Sequence, residues 1–249
     1  MKGPIQLFQM SFSLFLCLGN VWGDAGSEFI ANGKGPNELQ TPEYISIVEP
    51  FLPLNPYILE AGAHSGEDTA IFAEKWPQGQ VFAFEPVPHF FQLVLKHLKS
   101  KNISNVTAFP FGLFSSTGDR AFYYSQSCGG ASSYLPDGKL KDIDYNDTQM
   151  TLPCMTLDDW ALKHGIDHID FMWLDMEGAE YHMLSASSEI LKTVKVILTE
   201  LNFRSFREGH TLYDTLKPFL EAQGFTLHMI WGSPYWQGTG LFIRTELIQ

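Results

Sequence analysis

The chain has 249 residues, 45% of them hydrophobic and 18% charged, which is enough apolar material for one substantial core and excludes an extended disordered chain. Its formal net charge of −12 argues against a partner gripped through a phosphate backbone, so no nucleic-acid partner is expected. The densest basic group, Lys96, Lys99 and Lys101, falls on one helical segment and reads as a solvated face.

Lys2 is followed by an apolar stretch from Ile5 to Leu18, and small residues at Val21 and Gly23 suit cleavage before Asp24. Residues 1–23 therefore read as a signal peptide, too short and interrupted for a stable membrane span. Export would place the chain in the secretory pathway and would permit a Cys128–Cys154 disulfide; without it the chain is cytoplasmic. Residues 24–41 carry Gly26, Gly33, Gly35 and Pro36 with little apolar periodicity and read as a lead-in to a domain over 42–249.

From Pro42, the spacing of Tyr44, Ile45, Val48 and Phe51 predicts a helix. Tyr57-Ile58-Leu59-Glu60 is a buried strand, Glu67 to Lys75 a helix stopped by Pro77, and Val81 to Glu85 a second strand. Pro86 and Pro88 open a helix whose apolar stripe is Phe90, Leu93, Val94 and Leu98, and Asn105 to Phe109 is a third strand. Residues 112–155 are punctuated by glycines and short aromatic runs and read as a hairpin-bearing insertion. Thr156 caps a helix from Leu157 to His164 that Gly165 ends. A strand from Ile169 to Asp175, a helix over 179–191, a strand from Val194 to Glu200 and a helix from Leu212 to Gln223 follow, then a closing hairpin. Strands separated by helices imply right-handed crossovers and a parallel α/β sheet.

Four of these strands finish on an acid: Glu60, Glu85, Asp175 and Glu200. Open parallel sheets bind ligands outside the carboxyl ends of their strands, at the switch in strand order. The loop Glu60-Ala-Gly62-Ala-His64-Ser-Gly66 lacks the Gly-x-Gly-x-x-Gly of dinucleotide binders, which opposes an NAD-linked or nucleotide-sugar enzyme. An acid at the strand end suits a cationic ligand such as S-adenosylmethionine. Glu85 is then placed to accept hydrogen bonds from ribose hydroxyls, with Gly62 letting backbone approach the ligand and Gly66 permitting tight helix–strand packing.

Glu60-Ala-Gly62-Ala-His-Ser-Gly66, Val81-Phe-Ala-Phe-Glu85-Pro86 and the stretch from Thr156 through Asp175-Met-Glu177-Gly178-Ala-Glu180 resemble the FkbM family of class I methyltransferases. The resemblance implies a Rossmann-like, seven-stranded, mostly parallel sheet with helices on both faces and an antiparallel last strand. It implies S-adenosylmethionine as cofactor, held by Glu60, Gly62, His64, Gly66, Glu85 and Asp175, and O-methylation of a small-molecule or sugar hydroxyl. His64 stands where the family usually has Asn, and Trp173 where it often has Lys.

Asp175, Glu177 and His182 are the candidate bases for such a transfer. The pattern Asp175-x-Glu177-x-x-Glu180-x-His182 also has the donor types of a hard-cation site. Glu180 and His182 are read as running along a helix away from the rim, and no metal is assigned. Tyr123, Tyr124, Tyr134, Trp231, Tyr235 and Trp236 are pocket-floor or packing aromatics, and Arg204 and His210 lie near the acceptor side. The competing reading is a secreted, non-catalytic binding domain that keeps the methyltransferase fold.

Overall fold

The structure, a computed structural model, describes residues 39–138, 145–233 and 235–248. The signal-peptide segment and nearly all of the lead-in lie outside the described residues.

A seven-stranded sheet organises the chain. Its strands are β1 (Tyr57–Ala61), β2 (Gln80–Phe84), β3 (Val106–Phe109), β7 (Phe171–Leu174), β8 (Val196–Asn202), β9 (Phe225–Gly232) and β10 (Gln237–Arg244), in the order β3-β2-β1-β7-β8-β10-β9. β3, β2, β1, β7 and β8 are mutually parallel, and β10 runs antiparallel to both β8 and β9. This is the Rossmann-like sheet with an antiparallel last strand that the sequence predicts. The chain works outward from β1 to β3 and returns to β7 beside β1, so the switch in strand order falls between β1 and β7.

Side chains alternate across the sheet, and each face meets its own helices. Leu59, Phe82, Met172 and Ile197 pack on α4 (Leu157–His164), α5 (Glu180–Leu184) and α6 (Tyr213–Ala222). Ile58, Val81, Trp173 and Leu198 pack on α1 (Thr41–Val48) and α2 (Glu67–Lys75), and Ala83 packs on α3 (Pro88–Ser100). The Thr156 hydroxyl accepts from the Asp159 amide at 3.1 Å, and Gly165 closes α4 in the left-handed region at φ 67°.

Two expectations change. The helix over 179–191 is one turn, Glu180–Leu184, followed by a separate 3-10 turn at Ile190–Lys192. Ser187 Oγ donates back to the Met183 carbonyl, and the Asp158 carboxylate takes the Glu189 and Ile190 amides at 3.0 Å, so local side chains replace the helical ladder. The Cys128–Cys154 bridge does not form: Cys154 is a free, buried thiol whose Sγ lies 3.2 Å from the carbonyls of Ser116 and Gly118.

Between β3 and α4 a second sheet forms from β4 (Gly112–Leu113), β5 (Gly118–Ser125) and β6 (Asp147–Met155). Arg207, which follows β8, pins it to the main domain. Its guanidinium is 1% exposed, pairs with Asp147 at 2.9 Å and donates to the carbonyls of Leu135 and Ala131.

Candidate active site

A cleft opens at the switch point. The main sheet supplies Gly62, His64 and Glu85 on one side and Asp175, Met176 and Glu177 on the other. The second sheet and its loops close it with Phe122, Ser133 and Tyr134, and α3 adds Phe90.

Gly62 joins the two sides. Its φ is +95°, and a Cβ there would lie 1.9 Å from the Asp175 carbonyl oxygen. The glycine thus admits a neighbouring strand end as well as facing the cleft, a tighter reason than the ligand approach expected from sequence. Gly66 caps α2 at φ +80°, and a Cβ there would meet Val94 of α3 at 3.1 Å, so it packs helix on helix and lies outside the cleft wall.

Glu85 is fixed by backbone. One carboxylate oxygen accepts from the His64 amide at 2.8 Å, the other from the Val87 amide at 2.7 Å. Each oxygen keeps a lone pair for a further donor, as a vicinal diol requires. Burial pushes the carboxyl up to about 8, against the two amides that lower it. His64 itself holds φ 47°, and its ring centroid is 4.0 Å from that of Phe90. Burial and the neighbouring His89 depress its pKa.

Glu60 lies one rung below the rim, opposite Trp173 in the β1–β7 register, and does not line the cleft. It is 1% exposed and accepts a short hydrogen bond from Thr69 of α2. Burial, with Asp68 nearby, holds its carboxyl well above the carboxylate range.

The opposite wall is crowded. Asp175 and Glu177 receive no side-chain hydrogen bond among the described residues. Burial, then the charges of Glu177 and Glu180, raise the Asp175 carboxyl well above its usual value. Burial carries Glu177 to about 8 despite the field of Arg207. Glu180 is fully buried and turned inward, contrary to the outward course read from sequence, and burial carries it to about 7. Glu200 sits within β8, not at its end, and its carboxylate is held by Gln237 and by Asn202 at 3.1 Å.

His182 is not part of this group. Its ring stacks on Phe114 with centroids 5.1 Å apart, and Nε2 meets the Gly209 carbonyl at 2.9 Å. Of the six aromatics singled out from sequence, Tyr134 lines the cleft, while Trp231 is buried in the core against Tyr44 and Trp236 stacks on Phe206. Trp173 lies in the same core, where its ring meets those of Tyr44 and Phe72. Arg204 lies over Trp236, and the His210 ring fills the space a Cβ on Gly178 would need. Sequence reasoning did not mark Arg207, Ser133 or Thr239, and it placed Phe90 on the apolar stripe of its helix without assigning it to the cleft.

A Rossmann-like sheet with an amide-held carboxylate just after β2 and an acid-lined cleft at its switch point is an architecture suited to a nucleoside cofactor. The model of the Methyltransferase FkbM domain matches residues 60–227, and the chain belongs to this family of S-adenosylmethionine-dependent methyltransferases. The 2-O-methyltransferase NoeI of Sinorhizobium fredii is 26% identical over 164 residues, covering 62% of this chain and 67% of NoeI. Methyltransferase sdnD of Sordaria araneosa is 27% identical over 162 residues, covering 55% of this chain and 62% of sdnD. Methyltransferase 1 of Beauveria bassiana is 26% identical over 194 residues, covering 72% of this chain and 76% of that enzyme. Among solved structures, a SAM-dependent methyltransferase from Aquifex aeolicus aligns over 80% of this chain and 88% of its own, with 10% identity and a TM-score of 0.46.

The cleft fits the cofactor's chemistry. Glu85 offers two pre-oriented acceptors that would suit a ribose diol, and Asp175 offers a carboxylate that would suit a cationic ligand. Among the described residues no helix is long and apolar enough to cross a membrane.

Proposed function

We propose that this methyltransferase methylates a hydroxyl of a small molecule or sugar. The observation that carries this reading is the pair Asp175, half-buried, and Glu177, buried, which receive no side-chain hydrogen bond among the described residues and line the wall facing Glu85. Bound in the cleft, S-adenosylmethionine supplies an electrophilic methyl group on a sulfonium centre.

The protein's own residues do the rest. Glu85, fixed by the amides of His64 and Val87, accepts from the ribose hydroxyls. Asp175 or Glu177, in its ionised form, takes the one proton that the acceptor hydroxyl must lose; burial, which carries Glu177 to about 8, makes that ionised form a stronger base than an ordinary carboxylate. Phe90, Phe122, Met176 and Tyr134 form an apolar wall that excludes water and offers ring faces to a sugar or an apolar ring. His182, engaged by Gly209 and Phe114, has no part in this scheme.

The test is to incubate the full chain with methyl-labelled S-adenosylmethionine and a panel of sugars, polyols and matched amines. Label in base-stable ethers is the expected result. Label confined to amines, or to none of the acceptors while the donor binds, overturns the hydroxyl assignment.

A further inference from the structure

Asp175, Glu177 and Glu200 each offer a carboxylate oxygen, and these oxygens lie within 4.8 Å of one another. Hard divalent cations hold oxygen ligands at about 2.0–2.6 Å, so ligand oxygens on opposite sides of such an ion stand about 4–5 Å apart. Arg207, the cation whose field reaches Glu177, is already committed to Asp147. Glu200 is not free to swing away, because Asn202 and Gln237 clamp its two oxygens.

Two polar groups around the three acids lack partners. Thr239 is fully buried and its Oγ1 has no hydrogen bond. It stands directly opposite Glu200 in the antiparallel β8–β10 register, so the hydroxyl and the carboxylate rise from the same side of the sheet. Glu180 is fully buried; one oxygen accepts from the Met176 amide at 3.0 Å, and Oε2 has no partner. Buried polar oxygens without partners are costly unless a ligand or water meets them, and Thr239 lies directly across the strand pair from one of the three acids.

We propose that Asp175, Glu177 and Glu200 bind a divalent cation of the magnesium, manganese or calcium type at the β7–β8 rim of the cleft, with Thr239 and Glu180 completing its polar surroundings. The structure replaces the His182 of the sequence pattern with Glu200, giving an all-oxygen set that favours hard ions. The site stands on these residues alone. Its role rests on the methyl-transfer reading: the cation orients the acceptor hydroxyl and lowers its pKa.

Manganese is the probe. The full chain, freed of metal by chelation and dialysis, is titrated with Mn²⁺ while the free aqua-ion signal is followed by electron paramagnetic resonance. One Mn²⁺ per chain is expected, displaced by Mg²⁺ or Ca²⁺, with a raised thermal midpoint. Glu200→Gln should weaken binding by about tenfold or more, and Asp175→Asn serves if that variant does not fold. Absence of stoichiometric Mn²⁺ binding, or the same affinity in a folded variant, overturns the site. S-adenosylmethionine is titrated into the same samples. Donor binding without Mn²⁺ sinks the cation site alone, and Mn²⁺ binding without donor sinks the methyl-transfer reading and leaves the site standing.

Discussion

At the β1–β2 rim, Glu60 and Glu85 are paired: Thr69 holds the first, and two backbone amides hold the second. At the β7–β8 rim, Asp175 and Glu177 have no such partners among the described residues, Glu180 keeps one oxygen bare, and three acids bring carboxylate oxygens within 4.8 Å of one another. The first arrangement is finished and fits a neutral diol. The second is an excess of buried negative charge, stable only with protons or a positive ligand present. On the proposed function, recognition falls to one half of the cleft and chemistry to the other.

The comparison breaks most severely at Arg207. Replacing it with Met leaves Asp147 unpaired and removes the clamp between the two sheets, and it should cost about 3–5 kcal/mol in denaturant unfolding. A loss under about 1 kcal/mol would mean that the ion pair does not hold the insertion. Gly62→Ala tests the seam between the halves. A Cβ 1.9 Å from the Asp175 carbonyl, at φ +95°, should cost about 2–3 kcal/mol. Wild-type stability in that variant would refute the close approach. Glu85→Ala falls on the recognition side, leaves the His64 and Val87 amides without their acceptor, and should weaken S-adenosylmethionine binding by about 1–3 kcal/mol in calorimetry.

The pH dependence of stability tests the same half of the cleft. Glu85 titrates near 4.5 when unfolded and at about 8 when folded. Between those values the folded state holds a proton that the unfolded state has lost, so its contribution to stability is full below 4.5 and vanishes as pH rises through 8. Without cofactor, wild-type stability relative to Glu85→Gln should therefore fall with rising pH, by up to about 1 kcal/mol per unit. A flat difference from about pH 5 to about pH 8 would show that Glu85 is ionised throughout.

Much of this was legible in the chain itself. Apolar runs closed by Glu60, Glu85 and Asp175 marked three neighbouring strands, and Thr156 and Gly165 bounded α4, because strand periodicity and capping are local. The rest depends on contacts far apart in sequence. Nothing near Gly62 announces that its neighbour is the carbonyl of Asp175. Arg207 looks like one surface cation among several until Asp147 arrives from the insertion. Glu180 and His182 were read as lying along one outward course; the single turn of α5 instead buries Glu180 and hands His182 to Gly209. Trp231 reads equally as a pocket or a packing aromatic; it packs in the core, and the β9–β10 pairing that places it is set by chain beyond its own strand.

The division of labour is tested most directly by calorimetric titration of S-adenosylmethionine into the full-length wild type, Glu85→Gln and Glu177→Gln, with turnover followed in parallel. The account predicts donor affinity lowered by about tenfold or more in Glu85→Gln. In Glu177→Gln it predicts affinity near wild type, with turnover lost. Equal loss of affinity in both variants, or unchanged affinity in Glu85→Gln, would contradict it.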